Sequence, residues 1–132
     1  MTEEIPKDTA SVNEAAPKTE PMVAPQATIQ DFQKLALRVG IVVSAEDHPK
    51  ADRLLVLKVD VGESVPRQLV AGIKQSYQAA DLIGKRVVVI INLKPAVLRG
   101  IESQGMILAA TDLSSVVLLS PEKPLSAGCI VR

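Results

Sequence analysis

Short apolar segments separated by polar turns restrict the fold of this chain more than any other feature. In residues 35–43 and 55–61 the apolar side chains occupy alternate positions, the period of a β-strand with one buried face. Shorter apolar runs follow at residues 67–71, 87–93, 107–110, 116–119 and 129–131. A single small segment, residues 73–85, combines helix formers with a glycine stop. Many short strands with one helical segment indicate a closed or nearly closed β-barrel, so we predict an all-β domain.

The first 28 residues differ in composition from the rest of the chain. They contain four of the nine prolines and none of the seven glycines, and their apolar residues follow no regular period. Such a segment buries too little apolar surface to offset its ordering entropy, so residues 1–28 are predicted to be a disordered, linker-like tail. Thr28 and Asp31 resemble a capping box, which predicts a short helix at the start of one domain, residues 29–132.

Charge is unevenly distributed along the chain, although the net charge is zero. Residues 1–28 hold two of the 15 basic and five of the 15 acidic side chains, which leaves 13 basic and 10 acidic side chains in residues 29–132. The predicted domain is therefore mildly basic. This asymmetry is compatible with a polyanionic partner but does not require one.

Residues 92–106 form a long polar connection between two apolar runs. A tight hairpin needs only two connecting residues, whereas connections of about fifteen residues usually bind something or are disordered. Lys94 and Arg99 suit an anionic ligand, because an ammonium is a point charge and a guanidinium is a planar fork for phosphate. Asn92 and Ser103 could add neutral hydrogen bonds. The alternative left open by composition is a solvated connection that simply closes a small barrel.

A second polar loop, residues 46–53, carries His48, Lys50 and Arg53. In a five-stranded oligonucleotide-binding barrel, the ligand meets strands two and three and the loops that join strands one to two and four to five. The two most polar loops of this chain occupy those two places. This coincidence favours a nucleic-acid ligand, against the alternative that both loops are only solvated. His48 precedes a proline, so we interpret it as a turn residue rather than a catalytic base.

Several classes of function are excluded by what the sequence lacks. The single cysteine, Cys129, cannot form an internal disulfide, and no basic-then-apolar signal opens the chain, so we expect a cytoplasmic protein. No apolar run approaches the roughly 20 residues that cross a bilayer. His48 and Cys129 alone cannot build a four-ligand zinc site, so no metal is expected. Without a phosphate-binding glycine loop or a catalytic triad, we predict no cofactor, no catalytic residue and no enzymatic activity.

Eight sequence blocks, in this order, resemble the tRNA-binding domain family. They are residues 31–32, 34–35, 37–40, 48–54, 59–62, 67–73, 92–95 and 99–106. The family includes the C-terminal domain or β subunit of bacterial methionyl-tRNA synthetase and stand-alone structure-specific tRNA-binding proteins. The resemblance covers about residues 29–132. It implies a five-stranded oligonucleotide-binding (OB) barrel with short helices and a C-terminal β extension.

The resemblance also implies a function and a set of contact residues. The chain is expected to bind tRNA by shape and phosphate contacts and to form a homodimer. It would act as the tRNA-binding β subunit or detached C-terminal domain of a methionyl-tRNA synthetase whose catalytic chain is separate, or as a free tRNA-binding protein. The implied tRNA contacts are Arg38, Lys50, Asn92, Lys94, Arg99, Ser103 and Met106. For Arg38 a solvated or ion-paired role stays open, and for Met106 a core role. The alternative function is a dimeric protein-interaction or export-chaperone-like module on the same fold.

The sequence further restricts how RNA could be recognised. Phe32 and Tyr77 are the only aromatic rings, so a platform of rings that stacks on single-stranded bases is unavailable. Recognition is then expected to depend on phosphate, ribose and the shape of folded RNA.

Overall fold

The computed structural model describes residues 25–132. Of the tail predicted for residues 1–28, residues 1–24 lie outside the described residues. At the domain start, Thr28 Oγ1 accepts a hydrogen bond from the backbone N–H of Asp31 at 3.1 Å, and Asp31 Oδ2 accepts one from the N–H of Thr28 at 3.0 Å. This reciprocal pair confirms the predicted capping box.

Residues 25–132 form two short helices and ten strands. The helices are α1 (Ile29–Gln33) and α2 (Ala79–Leu82). The strands are β1 (Leu37–Asp47), β2 (Leu55–Asp60), β3 (Arg67–Ala71), β4 (Arg86–Ile90), β5 (Ala96–Leu98), β6 (Ile101–Ser103), β7 (Met106–Ile107), β8 (Ala109–Thr111), β9 (Val116–Leu118) and β10 (Ile130–Val131). Neither helix, nor any other helical segment in this part of the chain, is long and apolar enough to cross a membrane.

The main sheet is antiparallel, with strand order β3-β2-β1-β4-β7 and with β10 added beside the start of β1. Its two edges approach each other where β3 meets the segment between β6 and β7. There the N–H of Gln104 donates to the carbonyl of Gln68 at 2.8 Å, and the N–H of Val70 donates to Ser103 Oγ at 3.0 Å. The sheet is therefore a nearly closed barrel of five strands, which confirms the predicted fold class. Hairpin β8–β9 and strand β10 form the C-terminal β extension.

The barrel interior is filled by aliphatic side chains. Its largest fully buried members are Leu55, Leu57, Leu69, Leu82, Val42, Val59, Val87 and Val89. Each such side chain stabilises the fold by roughly 1.5–3 kcal/mol relative to leaving it in water. Tyr77 packs against this core, and its hydroxyl accepts a hydrogen bond from the N–H of Leu118 at 3.0 Å, so the C-terminal extension is attached to the barrel.

Strand β1 departs from the simple alternation that its sequence predicted. The pairing of β1 with β2 shifts register between Val42 and Ser44, so one extra residue is accommodated as a β-bulge. Val42, which pairs with Val59 before the shift, is buried with 1% of its surface exposed, whereas Val43 is 45% exposed. The expectation of one regular alternation through residue 43 is therefore wrong, because the bulge interrupts the strand at Val43. The strand also continues to Asp47, into the segment that we had predicted as a loop.

Candidate nucleic-acid interface

The long connection between β4 and β7 contains a hairpin of its own. Strands β5 and β6 pair antiparallel, and only Arg99 and Gly100 connect them. Both residues have positive φ angles, 52° and 87°, as a type I′ turn requires. The expectation that residues 92–106 are one irregular loop is therefore incomplete. The left-handed region costs a residue with a side chain about 1–2 kcal/mol. The backbone conformation of Arg99 is therefore unfavourable for an arginine.

His48 connects this hairpin to the loop between β1 and β2. The ring is buried, with 4% of its surface exposed. Its Nδ1 accepts a hydrogen bond from the N–H of Lys50 at 2.9 Å, and its Nε2 lies 3.0 Å from the carbonyl oxygen of Leu98. Because a carbonyl can only accept, the ring proton lies on Nε2, and the imidazole is neutral with one defined tautomer. His48 is a turn residue, as predicted, and it also contacts hairpin β5–β6 through Leu98.

A cleft of about 360 Å³ separates the two connected loops. It is lined by Ala51, Asp52, Arg53, Leu54 and Arg99. Two arginines therefore line one cleft, together with a single acidic residue. Lys50 is exposed next to the cleft. Among the ion pairs formed within residues 25–132, none involves Lys50, Arg53 or Arg99.

Arg67 joins the two ends of the connection that carries the hairpin. Its Nη1 donates to the carbonyl oxygens of Ile91 and Gln104, both at 2.8 Å. Its Nε and Nη2 donate to the two carboxylate oxygens of Glu63 at 2.8 and 2.9 Å. These hydrogen bonds from Arg67 lower the pKa of Glu63 and raise the pKa of Arg67. The sequence analysis missed this role, because the two carbonyls are 24 and 37 residues away and leave no local signal.

Asn92 and Ser103, two of the predicted contacts, use their polar atoms within the chain. Asn92 Oδ1 accepts from the N–H of Ala36 at 2.8 Å, and its Nδ2 donates to the carbonyl of Lys34 at 2.7 Å. Ser103 is buried, and its hydroxyl, besides accepting from β3, donates to the carbonyl of Gly105 at 3.0 Å. In this structure both side chains therefore position the loop backbone.

The remaining predicted contacts lie in different places. Lys94 is exposed between β4 and β5, within the same connection as Arg99. Met106 is 47% exposed at the start of β7, where it pairs with Ile90 of β4. Arg38 is half-buried on β1, and its Nη1 donates to the carbonyl of Leu37 at 3.1 Å. The structure thus brings Lys50 and Arg99 together, keeps Lys94 on the same connection, and places Arg38 outside the cleft.

Arg38 instead borders an apolar groove between α1 and the end of the chain. The groove has a volume of about 460 Å³, and its apolar lining residues are Ile29, Phe32, Leu35, Leu37, Ile130 and Val131. Ile29 is 68% exposed and Ile130 is 58% exposed, so this surface is largely uncovered in a single copy of the chain. The groove and the cleft are lined by different residues and are two separate surfaces.

Comparison with known sequences relates this chain to one protein family and to part of one class of enzyme. The family model described as "Putative tRNA binding domain" matches residues 37–129. The methionine–tRNA ligase of Thermococcus onnurineus is 55% identical over 103 residues, which span 78% of this chain and 14% of that ligase. The methionine–tRNA ligase of Methanosarcina acetivorans is 46% identical over 132 residues, which span 96% of this chain and 18% of that ligase. The chain thus corresponds to a small part of these enzymes.

Two solved structures of similar size share the fold. The MetRS related protein from Pyrococcus horikoshii superposes with a TM-score of 0.76 at 32% identity, over 83% of this chain and 100% of that chain. The chaperone CsaA from Bacillus anthracis superposes with a TM-score of 0.74 at 33% identity, over 82% of this chain and 100% of that chain. Matched by the family model across its barrel and by these relatives in sequence and structure, the chain belongs to the tRNA-binding domain family.

Proposed function

We propose that this chain binds folded tRNA through its two cationic loops and acts as the tRNA-binding module of a methionyl-tRNA synthetase, as its β subunit or detached C-terminal domain, or as a free tRNA-binding protein. The observation that carries the proposal is the joining of the loops that hold Lys50 and Arg99 at one cleft. The similar ligases match this chain over only 14% and 18% of their length. This supports its assignment as one module of a synthetase rather than as the whole enzyme. On this proposal the chain is not itself an enzyme, catalysis resides elsewhere, and the site of action is the cytoplasm.

Phosphate recognition suits the side chains that are available. Arg99 offers a planar fork that can donate two parallel hydrogen bonds to one phosphate, whereas Lys50 and Lys94 contribute charge. Phe32 lines the apolar groove, and Tyr77 is hydrogen-bonded in the core, so neither ring is placed at the cleft. Shape and backbone charge, rather than base stacking, therefore determine which RNA is bound.

The other predicted contacts enter the proposal with distinct roles. Asn92 and Ser103 act by holding the loop backbone in place, since their polar atoms are engaged inside the chain. Met106, exposed on β7, contributes apolar contact at the edge of the interface. Arg38 contributes a cation to the groove rather than to the cleft. These roles refine the set of contacts proposed from the family resemblance.

The decisive experiment compares single alanine variants in a filter-binding titration with bulk tRNA. Arg99→Ala and Lys94→Ala should each weaken binding by roughly 1–3 kcal/mol, because a charge-assisted bond to phosphate is lost. Lys85→Ala is the matched control, since Lys85 is exposed just before the start of β4, whereas the connection follows the end of that strand. If Arg99→Ala and Lys94→Ala bind tRNA like the control, this loop is not the binding surface.

Salt dependence tests the same proposal independently. If ~4 phosphates are neutralised, affinity should fall about 10²-fold between about 50 and 200 mM salt. Each lost phosphate contact should lower the slope by about one unit. Folded tRNA should also outcompete unstructured RNA of equal length. A nearly flat salt response would contradict the phosphate assignment.

Two further proposals concern the oligomeric state and an alternative function. We propose that the groove between α1 and β10 is covered by a second copy of the chain, which gives a two-fold homodimer. The alternative function is a dimeric protein-interaction or export-chaperone-like module, supported by the similarity to the CsaA chaperone. Unchanged tRNA affinity in both loop variants, with unchanged melting temperatures, would favour this alternative.

A further inference from the structure

We propose that His48 is a positioning residue that holds Arg99 opposite Arg53, so that one backbone phosphodiester is bound between two guanidinium groups. This inference rests on the proposed tRNA-binding function and deepens it. It assigns a role to two residues, His48 and Arg53, that are not among the contacts carried over from the family. The ligand class is a phosphodiester of folded RNA, since the cleft is lined by two arginines and by no Phe, Tyr or Trp.

The geometry that supports the inference begins with the buried imidazole. His48 is one of only two buried polar or charged residues found within residues 25–132, the other being Ser103. Both of its ring nitrogens are used, one on each loop. A buried polar group is retained at a cost unless its hydrogen bonds are made, so this arrangement fixes the ring in place. The imidazole therefore sets the distance between the backbone of Lys50 and the backbone of Leu98.

The contact between His48 Nε2 and the carbonyl of Leu98 determines which side chain His48 positions. Leu98 is the last residue of β5 and directly precedes Arg99. Arg99 occupies the left-handed region, where its backbone is determined by the turn and not by its own preference. A hydrogen bond to the carbonyl of Leu98 consequently orients the peptide that carries Arg99. Arg53, which lines the same cleft, follows the His48 turn within the same loop, and its carbonyl accepts from the N–H of Lys74 at 3.3 Å.

Two substitutions separate the two hydrogen bonds of the imidazole. His48→Asn places an amide oxygen near the position of Nδ1, so the bond from Lys50 N–H can form while the bond to Leu98 is lost. His48→Gln places an amide nitrogen near the position of Nε2, so a donor to Leu98 is retained. We expect tRNA affinity to fall about 3- to 10-fold in His48→Asn and by a smaller factor in His48→Gln.

A double-mutant cycle tests whether His48 acts through Arg99. The His48→Asn effect on tRNA affinity should largely disappear in the Arg99→Ala background, because the positioned side chain is then absent. Arg53→Ala alone should weaken binding about as much as Arg99→Ala. Lys85→Ala, which should leave affinity unchanged, is the control. A merely structural role for His48 would lower the melting temperature and weaken binding equally in both backgrounds.

The wild-type ring can be examined without any substitution. Nitrogen NMR of the free full-length chain should show His48 as a single neutral tautomer with the proton on Nε2, and the amide of Lys50 should exchange slowly. A proton on Nδ1, or rapid exchange between tautomers, would overturn the inference even if the variants fail to fold. If Arg99→Ala has no effect on tRNA binding, the proposed function fails. If Arg99→Ala weakens binding but His48→Asn does not, or does so equally in both backgrounds, only the present inference fails.

Discussion

At the scale of single residues, Arg99 combines an exposed charge with an unfavourable backbone. Its φ of 52° is the one positive value found for a residue other than glycine within the described part of the chain. Asn and Gly are the residues that a type I′ turn prefers at its two central positions. An asparagine would build this turn more stably. The presence of an arginine is therefore explained if its guanidinium is needed for binding.

This conflict predicts opposite effects of one substitution on stability and binding. Arg99→Asn should raise the free energy of unfolding by about 1 kcal/mol, because asparagine tolerates the left-handed region better. The same variant should lose tRNA affinity as Arg99→Ala does. Urea denaturation and filter binding measure the two quantities. A variant that is no more stable than the wild-type chain would show that the turn places no strain on Arg99.

Glu63 predicts how stability depends on pH. The hydrogen bond from Arg67 lowers the pKa of Glu63 below its ordinary value of 4.5. The ionised carboxylate therefore contributes stability that is fully present above that value and is lost as the pH falls through the lowered pKa of the folded state. Glu63→Gln should accordingly melt below the wild-type chain at neutral pH, and the difference should shrink in acid. A difference in melting temperature that is constant with pH would contradict this assignment.

Only part of the site could be predicted residue by residue. Lys50, Lys94 and Arg99 were predicted to lie in polar connections, and the structure leaves all three exposed there; their contact with tRNA stays a prediction carried over from the family. The roles of Asn92 and Ser103 were not predictable, because their backbone partners lie 56, 58 and 33 residues away. His48 was interpreted correctly as a turn residue from its neighbour Pro49. Its bond to Leu98 spans 50 residues and depends on how the two loops fold together.

At the scale of elements, hairpin β5–β6 is held to strand β3 of the main sheet, in large part by side chains. Arg67 binds both ends of its connection, and Gln68 Nε2 donates to the carbonyl of Glu102 at 2.7 Å. A lysine at position 67 would keep the positive charge but lacks the five donors of the guanidinium. One ammonium group cannot satisfy two carbonyls and a bidentate carboxylate with the same geometry.

Arg67→Lys is therefore expected to loosen the connection. The free energy of unfolding should fall by about 1–3 kcal/mol, since hydrogen bonds to two partly buried carbonyls are lost. Amide exchange should increase in residues 92–104 and change little in β1 and β2. Arg86→Lys is a useful control, because Arg86 Nε makes a comparable bond to the carbonyl of Leu125 outside this connection. Equal exchange in both variants would argue against a specific role for Arg67.

The elements themselves were largely predictable from their period. The strands of the barrel follow from alternation and from apolar runs, because a half-buried strand must expose every second side chain. The bulge in β1 was not predictable, since an inserted residue leaves a continuous apolar sequence. Its neighbour Gly40 faces Val59, and a Cβ there would lie 2.5 Å from Val59 Cγ1, which only the folded barrel reveals. The two-residue turn of β5–β6 was hidden by an arginine in place of the usual asparagine.

At the scale of the whole molecule, the cleft and the apolar groove are separate surfaces with different expected partners. The groove is formed by the first helix and the last strand, so both ends of the described chain contribute to it. Its exposed apolar side chains are expected to be covered by a second copy. The cleft is lined by other residues, so in the expected dimer each copy presents its own cleft.

A substitution in the groove should change the oligomeric state without affecting the cleft. Phe32→Glu should convert the expected dimer to a monomer, because a charge would be buried against apolar surface. Light scattering at micromolar concentration measures the mass. Ile83→Glu is the matched control, since Ile83 is also exposed but follows α2, outside the groove. A wild-type chain that is monomeric at this concentration would contradict the homodimer.

The anchoring of hairpin β5–β6 at its ends and near its tip has a kinetic consequence. Ordering a free loop around a ligand costs roughly 1–2 kcal/mol of conformational free energy per residue. Here that ordering is completed while the chain folds, through Arg67 at the ends and His48 near the tip. A ligand therefore meets a preorganised surface, and association needs no slow rearrangement step. The speed of capture is then governed by diffusion and charge, and it is determined before the ligand arrives.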